Sequence, residues 1–399
     1  MIMAETYLKA KILTHGVCFT ESALDYANKV GAKLQNLVYN LPKSANQYRP
    51  QELFIRHSDG YRTVVSCVAP CKENPIVIDV KEDNLYATHN GKKVDDVTIH
   101  FVPEPGYYRK NLKNGKPVKR YVSACGYDEL NILPWKGCAI SQSCLFCGSN
   151  VVAAKNSEDF FTAYEISNSD VWEKNEDHYL SNLKEAVFIA SEASCYDKHM
   201  HVILISGDLS DDKLDYQTEI YCKIASVIEP IVKNKSTEGM IAVMMPPKDK
   251  SLIMKLKKSG VAIVVYNLEV SNSKLFHRYC PGKGNIGFEH IEESLYAATE
   301  IFGKGYSWTN FVLGLEPVQG LLDYNYKLAS KGVVSSANVL HLDQGNRLDC
   351  EVPDYDMVIH YFYELDFILK EFGYKPFYCA EALRTSLSNE ANDGRIKID

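Results

Sequence analysis

Residues 130–148 read Leu130-Asn131-Ile132-Leu133-Pro134-Trp135-Lys136-Gly137-Cys138-Ala139-Ile140-Ser141-Gln142-Ser143-Cys144-Leu145-Phe146-Cys147-Gly148. The opening apolar run predicts a buried strand over Leu130 to Trp135, and the loop that leaves it carries three cysteines in a C-x5-C-x2-C spacing. Three thiolates on one short loop hold a metal centre from one side and leave another side open for chemistry.

From about residue 128 onward, strand patterns alternate with helical ones, the signature of a parallel α/β layout. Further strands are expected over His201 to Ser206, Met240 to Met245, Val261 to Tyr266, Thr309 to Leu315 and Val333 to Leu340. Several are near-continuous apolar runs, as parallel strands buried on both faces require. Helices are expected between them over Asp177 to Ser194, Lys213 to Val232, Asp249 to Ser259, Glu289 to Phe302 and Val318 to Lys331, with a last one over Asp354 to Phe372. Six β/α units without a G-x-G-x-x-G after the first strand predict a partial (β/α)6 TIM-like barrel rather than a Rossmann sheet. In such a barrel the site collects at the carboxyl ends of the strands, where the cysteine loop lies.

Around this barrel, at 128–345, the sequence predicts an N-terminal module at 1–127 and a C-terminal helical extension or cover at 346–399. The module reads as a helix over Thr20 to Val38, with Ser22 and Asp25 as a capping-box start, followed by hairpins turning at Asp59-Gly60 and Asn90-Gly91 and a strand over Pro75 to Val80. Residues 109–120 carry six basic side chains and no acid, which reads as a solvated linker ahead of a phosphate-binding strip. The net charge of −7 argues against nucleic acid as a partner. The start Met1-Ile2-Met3-Ala4-Glu5 lacks a secretory pattern and no run of about 18 apolar residues occurs, so a cytoplasmic protein without a membrane span is expected. Twelve cysteines in that setting are expected to be reduced thiols. Cys195, Cys222, Cys280, Cys350 and Cys379 read as packing residues, and Cys67 and Cys71 lack the third cysteine a second cluster needs.

The other strand ends are polar too. They carry Ser206-Gly207-Asp208 after the second strand, Asn267 and Glu269 after the fourth, Leu313-Gly314-Leu315-Glu316 at the fifth, and His341 and Asp343 beyond the sixth. Together with the cysteine loop and Phe146 before its last cysteine, residues 128–345 resemble the radical S-adenosylmethionine (SAM) superfamily. The resemblance implies that Cys138, Cys144 and Cys147 ligate a [4Fe-4S] cluster whose remaining iron takes SAM, with Phe146 near the adenine. It implies that Ser206, Gly207 and Asp208 meet the methionine amino group, that Asn267 and Glu269 hold ribose or methionine, and that Leu313 supports adenine. Arg278 or Lys274 would pair with the SAM carboxylate. Most members have C-x3-C-x2-C. The longer first gap here occurs in a few branches, such as the maturase of the iron-guanylylpyridinol cofactor, and leaves the direction of SAM cleavage open.

The implied activity is reductive cleavage of SAM and hydrogen abstraction from a small-molecule substrate, leading to rearrangement, cleavage or group transfer. The catalytic residues toward that substrate stay unassigned. Such a centre is oxygen-sensitive and draws electrons from a donor such as flavodoxin or ferredoxin. No cysteine-rich C-terminal region suggests auxiliary clusters, and the first 127 residues hold no cobalamin module. Two alternatives remain: a nucleic-acid substrate reached through the basic strip, and a structural zinc site formed by Cys125 with Cys138, Cys144 and Cys147.

Overall fold

The computed structural model describes residues 1–34, 49–150, 161–193, 200–342, 345–376 and 383–398. Two seven-stranded sheets organise them. The second sheet runs in the order β14 (Val333–Val339), β13 (Ser307–Leu313), β12 (Val261–Val265), β11 (Ser236–Val243), β10 (Met200–Ile205), β9 (Glu129–Ile132) and β8 (Val122–Cys125). From β9 to β14 every neighbouring pair is parallel, and only β8 runs antiparallel, against β9. This is a partial (β/α)6 barrel of six parallel strands. Helices Ser169–Ser191, Leu214–Val232, Ser251–Lys258, Phe288–Phe302 and Val318–Ser330 alternate with them. Strands such as β12, almost wholly buried, read as unbroken Val/Ile runs because helices cover one face and barrel contents the other.

The first sheet is the N-terminal module, ordered β1 (Val17–Phe19), β4 (Ile76–Lys81), β5 (Asn84–His89), β7 (Val97–Phe101), β2 (Glu52–His57) and β3 (Arg62–Ser66), with β6 (Lys92–Lys93) paired to β5. The Asp59-Gly60 and Asn90-Gly91 turns lie where expected, with Gly60, Asn90 and Gly91 at positive φ. The expected helix over 20–38 is shorter, Glu21–Lys29. Its cap is Thr20, whose Oγ1 accepts from Ala23 N at 3.1 Å, rather than Ser22. It stops because Gly31 adopts φ +66° and Ala32 then bridges to Pro103; positions 35–38 lie outside the described residues.

A helix that the sequence pattern does not predict, Ala4–His15, packs on β2, β3 and β4 and against the helix Tyr355–Glu371. Covered on several sides, it shows no one-sided apolar stripe, and Glu5 and Lys9 are themselves buried, against Arg395 at 2.7 Å and Glu390 at 2.8 Å. The C-terminal residues thus fold back onto the N-terminal module: Ile2 bridges Ile396, and Arg384 reaches Glu52 at 2.6 Å. The basic stretch 109–120 is an ordered turn rather than a linker. Leu112 N donates to Lys116 O at 2.8 Å, and Lys113 N and Asn114 bond to Glu185 and Asn182 of the helix Ser169–Ser191. Among the described residues no helix is long and apolar enough to cross a membrane.

Candidate cluster and cofactor site

β9 ends at Ile132, sooner than expected, because Pro134 supplies no ladder donor. Trp135 instead turns inward, fully buried, and its Nε1 donates to Gly207 O at 2.5 Å. The end of β10 closes on the cysteine loop at the same point. A Cβ on Gly207 would lie 2.2 Å from Gly137 O and 2.7 Å from Cys138 Cβ, so only glycine permits this approach. Ala139 N then donates to Asp208 O at 2.7 Å, and Ser141 binds the Asp211 carboxylate through N and Oγ. Asp208 is buried, and its Oδ1 accepts from Gln217 Nε2 at 2.8 Å and Met245 N at 2.7 Å, which ties the turn after β10 to the end of β11. Ser206 Oγ sits 3.3 Å from Tyr221 OH.

The second half of the loop is held from two other directions. Leu145 N donates to Tyr279 O at 2.8 Å and Gly282 N donates to Gln142 O at 3.1 Å. From beyond β14, Arg347 N donates to Leu145 O at 2.7 Å while its guanidinium donates to Ser143 O and Oγ. Phe146, half-buried, packs beside the core.

All three cysteines are disfavoured as bare thiolates. Burial, then Asp208, pushes the Cys138 thiol up to about 12. A hydrogen bond with Cys280, then burial, raises Cys144 well above its ordinary value; burial raises Cys147, with Ser149 Oγ at 3.2 Å opposing. Thiols this dry need a bound cationic centre to become ligands. Three soft donors on one loop, braced by a glycine that no side chain can replace, fit an iron–sulfur cluster. Among the described residues no three His, Cys, Asp or Glu side chains gather as ligands for one metal ion, and each iron of a cluster takes its own thiolate. Cys125 stands apart from this set, at the start of the β8–β9 turn with Asn131 Nδ2 at 3.2 Å from its sulfur, so the four-thiolate zinc arrangement is not assembled.

Glu269 adopts φ +66°, an unfavourable conformation for a residue with a side chain, and is held there by Glu269 N to Asn310 O at 3.0 Å and Val312 N to Glu269 O at 2.8 Å. Its Oε1 lies 2.7 Å from Lys283 Nζ. Burial alone would push the Lys283 ammonium down, but Glu269 and then Cys144, Asp208 and Cys280 hold it well above its usual value. Asn267 Oδ1 accepts from Asn310 N at 3.1 Å and so braces the loop after β12 against β13. Leu313 is fully buried and its carbonyl accepts from Leu340 N at 3.0 Å; the chain then turns at Gly314, φ +116°. Glu316, its carboxyl raised by burial, accepts from Ser271 N and Oγ at 2.6 Å each.

The structure does not bring Arg278 to the cysteines: it is exposed, with its guanidinium 5.3 Å from the Tyr279 ring centroid, and Lys274 is exposed as well. Besides Arg347, the buried cation on this side is Lys283, paired with Glu269, which position along the sequence does not single out. The signal was Cys280-Pro281-Gly282-Lys283-Gly284, where Pro281 opens a new helix, Pro281–Ile286, after the helix Ser273–Tyr279 and redirects the backbone beyond it. Cys280, expected as a packing residue, is buried accordingly, in the segment whose Tyr279 O accepts from Leu145 N. His341 bonds Val339 O, and Asp343 lies outside the described residues.

The chain is 29% identical over 236 residues to the bacteriochlorophyllide c C-7(1)-hydroxylase of Chlorobaculum limnaeum, covering 56% of this chain and 54% of that protein. It thus spans about half the length of this curated relative. No family model matches. Solved structures with some likeness include the FeFe-hydrogenase maturase HydG from Carboxydothermus hydrogenoformans (15% identity, TM-score 0.37, covering 64% of this chain and 54% of that one). Others are methylornithine synthase (13%, 0.38, 60% and 63%) and a radical SAM methyltransferase from Sphaerobacter thermophilus (10%, 0.38, 89% and 79%).

Proposed function

We propose that this chain is a radical SAM enzyme whose barrel binds a [4Fe-4S] cluster through Cys138, Cys144 and Cys147 and cleaves SAM to take a hydrogen atom from a C–H bond of a small organic molecule, a reading that the resemblance of residues 128–345 and the similarity to a bacteriochlorophyllide hydroxylase support. The observation that carries this reading is the closure of Gly207 onto Gly137 and Cys138, which sets the turn after β10 directly against the first ligand. When bound, the cluster and SAM supply a carbon radical able to take a hydrogen atom; the chemistry is the cofactor's and the protein contributes orientation and exclusion of water. Lys283, held by Glu269, offers a fixed ammonium for the SAM carboxylate in place of Arg278. Asn267 and Asp208 act as braces that keep the strand ends in register around that pair. Glu316, desolvated and steadied by Ser271, is a polar group offered to the substrate. Arg347 pulls the segment after β14 over the cysteine loop as a cover.

The similarity to a bacteriochlorophyllide hydroxylase supports oxidation at carbon as the proposed outcome and puts a bacteriochlorophyllide among the first candidates for a substrate panel. The test is anaerobic reconstitution of the full chain, with iron, sulfide and zinc measured and SAM turnover followed to 5′-deoxyadenosine. Cys144→Ala is expected to lose the cluster and the turnover together. An intact cluster in that variant would falsify the ligand assignment, and a 3-amino-3-carboxypropyl product would overturn the direction of cleavage.

A further inference from the structure

The basic stretch 109–120 has no role in the site above, yet it sets six cations and no acid into an acidic chain. With Arg109, Lys110, Lys113, Lys116, Lys119 and Arg120 counted within a net charge of −7, the rest of the chain carries −13. Elsewhere surface lysines such as Lys29, Lys223, Lys250 and Lys370 pair with carboxylates. Among the described residues, the ammonium groups of Lys110, Lys113, Lys116 and Lys119 pair with none. The stretch is also fixed in shape. Asn111 bridges to Pro117, Leu112 N donates to Lys116 O at 2.8 Å, and Lys113 N donates to Glu185 Oε1 at 2.9 Å on the helix Ser169–Ser191. Its end borders the cysteine loop: Tyr121, next after Arg120, accepts from Leu133 N at 3.1 Å through its carbonyl. Tyr179 OH donates to Leu133 O at 3.1 Å, with its ring 5.7 Å from that of Tyr121. Leu133 precedes Cys138 by five residues, at most about 18 Å of extended chain.

Resting on the cluster reading of the preceding section, we propose that this strip is the docking surface for an acidic one-electron carrier protein that delivers electrons to the cysteine loop. The cleavage read there is reductive. Each SAM takes up one electron as its C–S bond breaks to methionine and a 5′-deoxyadenosyl radical, and the carrier is oxidised by one. That electron has to enter from outside, and the strip stands beside the loop that receives it. Charge complementarity argues for this occupant: an acidic protein face is repelled by a surface carrying −13 and attracted where the four unpaired ammonium groups stand, which orients it at the loop. Leu112 and Val118 of the stretch are buried, so the contact is polar. Electron-transfer encounters bury little area and depend on fast approach, which a short charged turn supplies. A nucleic acid, charged along its whole length, extends beyond a turn of this size onto acidic surface.

The experiment uses the anaerobically reconstituted full chain, with reduced flavodoxin as the acidic carrier and dithionite as a small-molecule reductant. A strip variant, Lys110→Gln with Lys113→Gln, Lys116→Gln and Lys119→Gln, is compared with the wild type and with a control neutralised at four other exposed lysines, Lys92→Gln, Lys93→Gln, Lys331→Gln and Lys397→Gln. Iron per chain, the rate of reduction by each donor at low and high salt, and flavodoxin binding by calorimetry are measured. The strip variant is expected to keep wild-type iron and dithionite rate. Its flavodoxin-driven rate should fall about tenfold or more at low salt and lose its salt dependence, while the control keeps both. A flavodoxin-driven rate equal in the strip variant and the wild type overturns the inference. So does an equal fall in the control, which would reflect net charge alone, or binding of a single-stranded RNA probe at the strip in place of flavodoxin. A wild-type chain that takes up no cluster removes the functional reading itself. The binding arm then still decides the surface, which stands if the strip variant alone loses flavodoxin and falls if it does not.

Discussion

Gly207→Ala probes the contact on which the site depends. The added methyl would sit 2.2 Å from Gly137 O and 2.7 Å from Cys138 Cβ. Both atoms belong to or adjoin the backbone of the cysteine loop, so no flexible side chain can swing away. Relief has to come from moving the loop, which also holds Ala139 N on Asp208 O at 2.7 Å and Trp135 Nε1 on Gly207 O at 2.5 Å. Overpacking of this kind costs about 1–3 kcal/mol, which for a chain of this length corresponds to a fall in melting temperature of about 1–4 °C. That is small enough for the fold to survive, whereas a shift of the loop would misplace Cys138 as a ligand of the proposed cluster. The expected result is a folded protein with little iron and sulfide after reconstitution. Gly320→Ala serves as the control: nothing lies within 4 Å of its added methyl and it sits inside the helix Val318–Ser330, so it should hold full iron and gain about 0.5–1 kcal/mol. Full cluster loading in Gly207→Ala would refute the claim that this approach seats the first ligand.

Other consequences can be measured separately. Lys283→Met leaves Glu269 without its partner, and is expected to destabilise the fold by about 3–5 kcal/mol and to weaken SAM binding; adding Glu269→Gln should restore most of the stability in denaturant titrations but not the affinity for SAM. Arg384→Met strips one partner from the fully buried Glu52, leaving Lys33 at 2.7 Å, and should cost a similar amount while cluster loading stays normal, because this network lies away from the cysteine loop. His15, close to Lys11, Lys72 and His89, is pushed down by burial and then by those charges to about 4, below its ordinary 6.5. It is neutral in the folded chain, and the unfolded chain takes up a proton first as pH falls through 6.5, so stability from this group is lost between about pH 6.5 and 4. Denaturant midpoints at pH 7 and pH 5 should therefore differ less in His15→Gln than in the wild type.

The cysteine spacing, the six apolar strand runs and the Asp59-Gly60 and Asn90-Gly91 turns are properties of consecutive residues, and each is legible without coordinates. Local chemistry sets them: backbone sterics at the turns, burial on both faces of parallel strands, and ligand spacing on one loop. The helix Ala4–His15 is not legible, because a helix covered on several sides carries no one-sided pattern. Nor can charge type and proximity to a strand end tell which of Arg278 and Lys283 is buried beside Glu269. The break at Pro281 decides that, with Arg278 in solvent before it and Lys283 paired with Glu269 after it.

The order of residues along the chain is therefore enough to specify the parts: a partial barrel, a loop with three thiols, and polar residues at the strand ends. Which of those parts meet is settled by tertiary packing. The Gly207–Cys138, Leu145–Tyr279 and Glu269–Lys283 contacts join residues of different segments, and the packing of those segments arises from the whole core rather than from any one of them.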